Sequence, residues 1–280
     1  MRSTPVPATV LLLAALAVPL RPADAQSGQE IMEKALEAHE QRMEGVSEYT
    51  VTQRIDVMGA PVTRRFVKRT VDGRPVFVAA SREGAGRTPS GWGNPYRLFA
   101  RLSDRARNEG REGLDGGQAW KVSVDDFSGV DVGSMTPEGA RGEFRPERAT
   151  FHLDTETFAI RRVVMRGTME SETGSGPVKI EARFDDYREV DGLLHPFHTE
   201  ISVEGMNAVL TEEELTEARR RLEAMRARLD SLSEAERAMV EPVVGPKIEQ
   251  LERTVETGRL DVTVEVQDLQ VGPGGSGGGG

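Results

Sequence analysis

The fold is decided by residues 178–205, which read VKIEARFDDYREVDGLLHPFHTEISVEG. From Val178 to Phe184, apolar residues alternate with charged ones, and this period of two is typical of a strand with one buried face. Asp191-Gly192 follows, and these residue types accept the positive φ of a tight turn. The alternation resumes after Pro196. The stretch therefore predicts a long antiparallel hairpin.

The amino-acid sequence of this hairpin resembles that of the bacterial LolA-like family of outer-membrane lipoprotein-sorting proteins. The matching residues are Asp186-Tyr187, the run VDGLL at 190–194, and Pro196. The resemblance implies an α+β fold. Its sheet would be a strongly curved, open antiparallel β-sheet, like an unclosed barrel, with helices on the concave side. It also implies a dry apolar cavity between sheet and helices that suits acyl chains.

The first 25 residues have the features of a secretory signal peptide. Arg2 provides a positive start, residues 10–18 are almost wholly apolar, and Ala23-Asp24-Ala25 is a cleavage pattern. The apolar run is shorter than the ~20 residues that a membrane span needs. We expect cleavage after Ala25 and a soluble protein in the periplasm.

Composition excludes several classes of protein. The formal net charge is −10, which does not favour nucleic-acid binding or a polybasic membrane patch. The chain has no Cys, so it forms no disulfides and its core must be stable without them.

The remaining chain reads as one β domain, 26–270, followed by a flexible Gly-rich tail, 271–280. Ser27 and Glu30 form a capping-box pattern that begins a helix reaching about residue 43. Asn94-Pro95 begins a second, short helix. Alternating runs predict strands at 49–57, 62–71, 76–78, 120–124, 149–153, 158–166, 178–190, 199–203 and 260–267. This order of elements resembles the LolA-like plan over most of the chain.

An antiparallel helical hairpin at 211–257 interrupts the strands. Two further capping boxes begin at Thr211 and Ser233, and an apolar seam runs along one side of the first helix. We expect Pro242 and Gly245-Pro246 to break the second helix early. The small carriers of the LolA-like family lack such an insert.

Patterns of catalytic residues are missing, and the sequence predicts a protein that is not an enzyme, with no cofactor and no metal. There is no Cys nucleophile and no G-x-S-x-G elbow. His195 and His198 are three apart in a strand, so they should lie on opposite faces and serve the structure.

The candidate ligand-binding residues are large apolar residues predicted to line the cavity. Each of them could equally be ordinary core. Leu98 and Phe99 are on a short helix beside a predicted loop at 81–91, where a lid would lie. The candidates are Val51, Ile55, Leu98, Phe99, Leu102, Trp120, Val122, Ile180, Phe184, Ile201, Val262 and Val264.

Two functions of different classes follow from these patterns. The first is an exported carrier of lipid or lipoprotein acyl chains, monomeric and able to meet envelope membrane proteins. The alternative is an envelope sensor or interaction module of the same fold, which binds a partner protein through its helical hairpin. A third possibility, an envelope hydrolase, lacks a recognisable site.

Overall fold

A computed structural model describes residues 26–56, 60–71, 73–80, 95–130, 142–171, 174–208 and 211–273. The predicted signal peptide, the 81–91 loop and the last seven residues of the predicted tail lie outside these ranges. No described helix is long and apolar enough to span a membrane.

The described strands form one open, curved, antiparallel sheet of ten strands, which confirms the predicted fold class. Along the sheet their order is β3-β2-β1-β10-β9-β8-β7-β6-β5-β4. β3 and β4 are its two edges, so the sheet is not closed. The strands are β1 Val46–Ile55, β2 Val62–Val71, β3 Arg74–Ala79, β4 Arg107–Leu114, β5 Gly117–Val124, β6 Glu143–Asp154, β7 Ile160–Ser171, β8 Gly174–Val190, β9 Leu193–Glu204 and β10 Arg259–Pro273.

β8 and β9 form the hairpin predicted at residues 178–205. Val190 pairs with Leu193 across the turn. Asp191 and Gly192 both have positive φ, of 48° and 83°, as the turn requires. The pairing continues to Lys179 opposite Glu204, so the predicted hairpin is confirmed.

Four α-helices are described, α1 Gly28–Arg42, α2 Tyr96–Leu102, α3 Glu212–Asp230 and α4 Glu234–Thr257, with 3₁₀ turns at Ser103–Arg105 and Met206–Ala208. All three predicted capping boxes are present. In each, the Ser or Thr hydroxyl accepts a backbone N–H and the Glu carboxylate accepts another. Two orphan donors are thereby satisfied at the start of α1, α3 and α4.

The prediction that prolines break α4 is wrong. α4 is continuous from Glu234 to Thr257, with Pro242 and Pro246 inside it. Each proline removes one intrahelical N–H donor. Pro242 and Pro246 are both on the exposed side of α4, so water can reach the carbonyls that lose a donor.

The largest core lies where α1 and α2 pack on the strands from β5 to β8. We call the sheet face that carries these helices the inner face. The fully buried side chains of this large core include Ile31 and Met32 of α1, Phe99 of α2, and Phe151 and Ile180 of the sheet. Gly28 allows α1 to begin against the chain before β4, because a Cβ there would lie 2.5 Å from the Ala106 carbonyl carbon.

A second, smaller core lies on the other half of the same face, around β1. Its buried members are Met43, Val46, Tyr49, Val51, Phe77, Leu193 and Leu269. Tyr49 is at its centre, stacked on Phe66 with ring centroids 4.8 Å apart. β10 reaches this core near its end, where Val271, two residues before Pro273, pairs with Tyr49. The strand therefore continues past residue 270, where the predicted tail begins.

Candidate ligand-binding site

Strand register brings five of the candidate residues together on the inner face. Val264 is directly opposite Ile55 on β1 and Thr199 on β9, and Thr199 is opposite Phe184 on β8. In the next row, Val262 is opposite Ile201. We call Ile55, Phe184, Ile201, Val262 and Val264 the inner-face strip.

The inner-face strip differs from both cores in exposure. Its five side chains are all half-buried, although they are apolar and lie on the same face as the cores. Phe184 and Ile201 border the large core. The strip crosses four strands, which at the usual spacing is about 14 Å. It is therefore an apolar surface, interrupted by the Thr199 hydroxyl, that the protein's own side chains cover only in part.

The other candidates are buried in the two cores. Val51 belongs to the small core. Six more belong to the large core, namely Leu98, Phe99, Leu102, Trp120, Val122 and Ile180. Their exposed fractions range from 0% to 7%. Whether a ligand reaches them remains a prediction.

The predicted lid at Leu98 and Phe99 is packed onto the sheet in this structure. The Phe99 side chain is 0% exposed. Its ring meets Phe151 edge to face with centroids 4.9 Å apart, and it meets Tyr96 in the same manner at 5.4 Å. These are favourable aromatic geometries, so α2 is firmly attached in this position.

The helical hairpin lies next to the inner-face strip. α4 packs along β10, and the Gln250 side-chain amide donates to the carbonyl of Asp261. Ile248 and Val255 of α4 are buried. The ends of the insert meet, since the N–H of Met206 donates to the carbonyl of Gly258 at 2.9 Å.

The sequence reasoning missed a group of polar rings beside the large core. The Tyr96 hydroxyl accepts the N–H of Ile160 at 3.3 Å, and the Tyr187 hydroxyl donates to the Ile160 carbonyl at 2.5 Å. His39 stacks on Tyr96 with centroids 3.9 Å apart. The rings of His39, Tyr96 and Tyr187 lie far apart in the sequence and form no motif, so only their contacts in the folded protein reveal the group.

The two histidines of β9 lie on opposite faces, as predicted. His195 faces the inner side, with its ring 5.7 Å from that of Tyr49. His198 is on the outer face, where its Nε2 lies 3.4 Å from the Glu200 carboxylate. Burial lowers the pKa of His195 to about 4. Within the described ranges, no group of three or more His, Cys, Asp or Glu residues is placed to hold a metal ion.

No protein-family model matches the chain, and no curated protein matches it. The solved structures that are similar to it include the following three. The LolA superfamily protein NE2245 from Nitrosomonas europaea is 9% identical, with 89% of this chain and 94% of that chain covered at a TM-score of 0.36. A DUF1329 family protein from Desulfovibrio piger is 10% identical, with 90% and 93% covered at 0.38.

The third is a putative outer membrane lipoprotein-sorting protein domain from Vibrio parahaemolyticus, 10% identical, with 89% and 95% covered at a TM-score of 0.34. All three TM-scores lie below 0.5, and a likeness at this level says nothing about what this chain binds.

Proposed function

We propose that this protein is an exported carrier that binds the acyl chains of lipids or lipoproteins along the inner-face strip. One observation carries the proposal. Apolar residues of four adjacent strands lie in register on the helix-bearing face and stay half-exposed between two well-buried cores. Each methylene that such a surface removes from water contributes about 0.8 kcal/mol.

Acyl chains suit the strip for reasons of shape and chemistry. The strip is long and narrow, and its five members carry no polar side-chain atom. Phe184 and Ile201 connect it to the large core, so a chain lying on the strip would touch apolar residues on that side as well. The predicted signal peptide would place such a carrier in the periplasm, between membranes that hold its cargo.

The test places a charge on the strip. Val264→Asp should weaken binding of a fluorescent fatty acid by about tenfold or more, because a carboxylate pressed against an alkyl chain loses its water. Since Val264 is half-exposed, the empty protein can hydrate the new carboxylate and should stay folded. A binding titration and a thermal melt on the same sample measure both effects.

Val67→Asp is the matched control. Val67 is also half-buried in a strand, but it pairs with Glu48 and so faces the outer side. This variant should bind the fatty acid as the wild type does. If Val264→Asp bound normally, or if the two variants lost affinity equally, the strip would not be the site.

A second candidate function is an interaction module that binds a partner protein through the helical hairpin. α3 has no buried residue. Met225 of α3 is 39% exposed, and Met239 of α4 is 71% exposed. Exposed methionines adapt readily to a partner surface. Mass spectrometry of organic extracts supports the carrier if lipid is found, whereas a stoichiometric copurifying protein supports the module.

A further inference from the structure

The outer face of the sheet, opposite the inner-face strip, carries a cleft of about 290 Å³. Its floor is formed by Thr150 and Val164, and His152 lies beside them. Five basic side chains line the cleft, namely Lys121, Arg148, Arg162, Arg166 and Lys179. We call this set the basic cleft. Only two carboxylates, Glu109 and Glu112, line it with them.

Strand register forces three of these cations into one row. Arg148 on β6 is directly opposite Arg166 on β7, and Arg166 is directly opposite Lys179 on β8. Like charges in directly opposed positions destabilise a sheet. The chain as a whole has a net charge of −10, so this row is a local reversal of the protein's charge.

The neighbouring carboxylates form ion pairs with Lys121, Arg148, Arg162 and Lys179. Glu109 pairs with Arg148 and lies 3.5 Å from Lys121. Glu181 holds Arg162 at 2.9 Å and Lys179 at 3.2 Å, and it also holds Arg183. Further pairs join Lys121 to Glu112, Arg148 to Asp125 and Lys179 to Glu204.

Arg166 is the exception. It is exposed and stands between Arg148 and Lys179, and no carboxylate among the described residues forms an ion pair with it. His152 adds no charge at neutral pH, because burial lowers its pKa despite the opposing effect of Glu112. Its side chain is 3% exposed, and its Nδ1 has no hydrogen-bond partner within the part of the chain that the structure describes.

We infer that the basic cleft binds a phosphate group, either of a small phosphorylated molecule or of a lipid headgroup. A phosphate presents several acceptor oxygens and up to two negative charges, which matches a row of three adjacent cations. Arginine binds such groups through two parallel N–H donors. The bound group would supply the negative charge that Arg166 lacks. This site is on the opposite face from the inner-face strip, so it does not depend on the proposed carrier function.

Inorganic phosphate is the first probe. Isothermal titration at constant ionic strength, with chloride as the reference anion, should show saturable binding to the wild-type chain. Arg166→Gln should weaken that binding about tenfold. The control is Arg69→Gln, which removes the same charge from β2, five places away in the sheet. It should leave phosphate binding unchanged.

A second measurement separates the two sources of phosphate. Vesicles of phosphatidylglycerol and of phosphatidylcholine are sedimented with the wild type and both variants. Capture by phosphatidylglycerol that is lost only in Arg166→Gln identifies a lipid headgroup. Phosphate binding without vesicle capture identifies a small molecule.

Three outcomes would overturn the inference. The first is no saturable phosphate binding by the wild type. The second is an equal effect of Arg166→Gln and Arg69→Gln on phosphate binding. The third is a lower melting temperature for Arg166→Gln in phosphate-free buffer. Removing a cation from between two others should leave the empty protein at least as stable, so a loss would show that Arg166 serves the fold.

Discussion

Glu181 shows how a charged residue is kept in the sheet surface. Its side chain is only 10% exposed. Burial would raise its pKa, but hydrogen bonds from Arg162, Arg183 and Lys179 outweigh this effect and hold the pKa at about 2. The carboxylate therefore contributes stability above its unfolded pKa near 4.5, and this contribution is lost only as the pH falls towards 2.

Two buried histidines, His39 and His195, affect the stability at a higher pH than Glu181 does. Burial, helped by Arg42, lowers the pKa of His39 to about 3, and burial lowers that of His195 to about 4. Between these values and the unfolded pKa near 6.5, the unfolded chain binds protons that the folded protein does not. Stability should therefore fall as the pH drops below 6.5, by up to about 1.4 kcal/mol per pH unit for each histidine.

Urea unfolding at pH 7.5, 6.5, 5.5 and 4.5 measures this slope. We expect His195→Gln to make it shallower, because one proton-binding group is removed from the unfolded chain. His198→Gln is the control on the same strand, where the ring is on the outer face beside Glu200. An identical slope in wild type and His195→Gln would show that His195 does not contribute.

At the scale of the elements, α4 contains two prolines. Each of them lacks the N–H that would make a hydrogen bond within the helix. Pro242 lacks the N–H that would donate to the Ala238 carbonyl one turn earlier. Pro242→Ala should stabilise the helix locally by up to about 3 kcal/mol. Hydrogen exchange measured by mass spectrometry should show slower exchange in peptides from α4.

Glu241→Ala is the matched change at the adjacent exposed position. It removes only a weak surface pair with Arg237, whose closest atoms are 3.8 Å apart, and should change exchange little. If Pro242→Ala instead lowered the melting temperature, the backbone geometry that Pro242 imposes would be required for packing α4 on β10.

At the scale of the whole molecule, the helical hairpin is separable from both cores. Among the residues whose burial the structure describes, neither core contains one from α3 or α4. The ends of the insert are held together at Met206 and Gly258. Replacing residues 209–257 with a short Gly/Ser link should therefore leave a folded sheet, with a lower melting temperature because the buried contacts of Ile248 and Val255 are lost.

This deletion also distinguishes the two proposed functions. Because every residue of the inner-face strip lies on a strand, a carrier should still bind a fluorescent fatty acid after the deletion. An interaction module should lose its partner in a pull-down while it keeps a cooperative melt. A chain that no longer folded would mean that the hairpin is part of the core.

The sequence by itself determined the features that depend on neighbours in the chain. The three capping boxes, the Asp191-Gly192 turn and the alternation of β8 and β9 each follow from residues a few positions apart. β4 was missed because its sequence, RNEGREGL, has no apolar alternation. As an edge strand it is held by pairing with β5 on one side, which needs no buried face of its own.

Only the tertiary structure decided which apolar residues are core and which form the inner-face strip. Val122 and Val264 have the same side chain and both lie in alternating strands, yet one is fully buried and the other half-exposed. The difference arises because α1 and α2 pack against the β5 region of the sheet, where Val122 lies. The charged row at Arg148, Arg166 and Lys179 is likewise invisible in sequence, since pairing among β6, β7 and β8 creates it. Burial and charge contact depend on distances in space, and a strand pattern specifies a face without specifying what covers it.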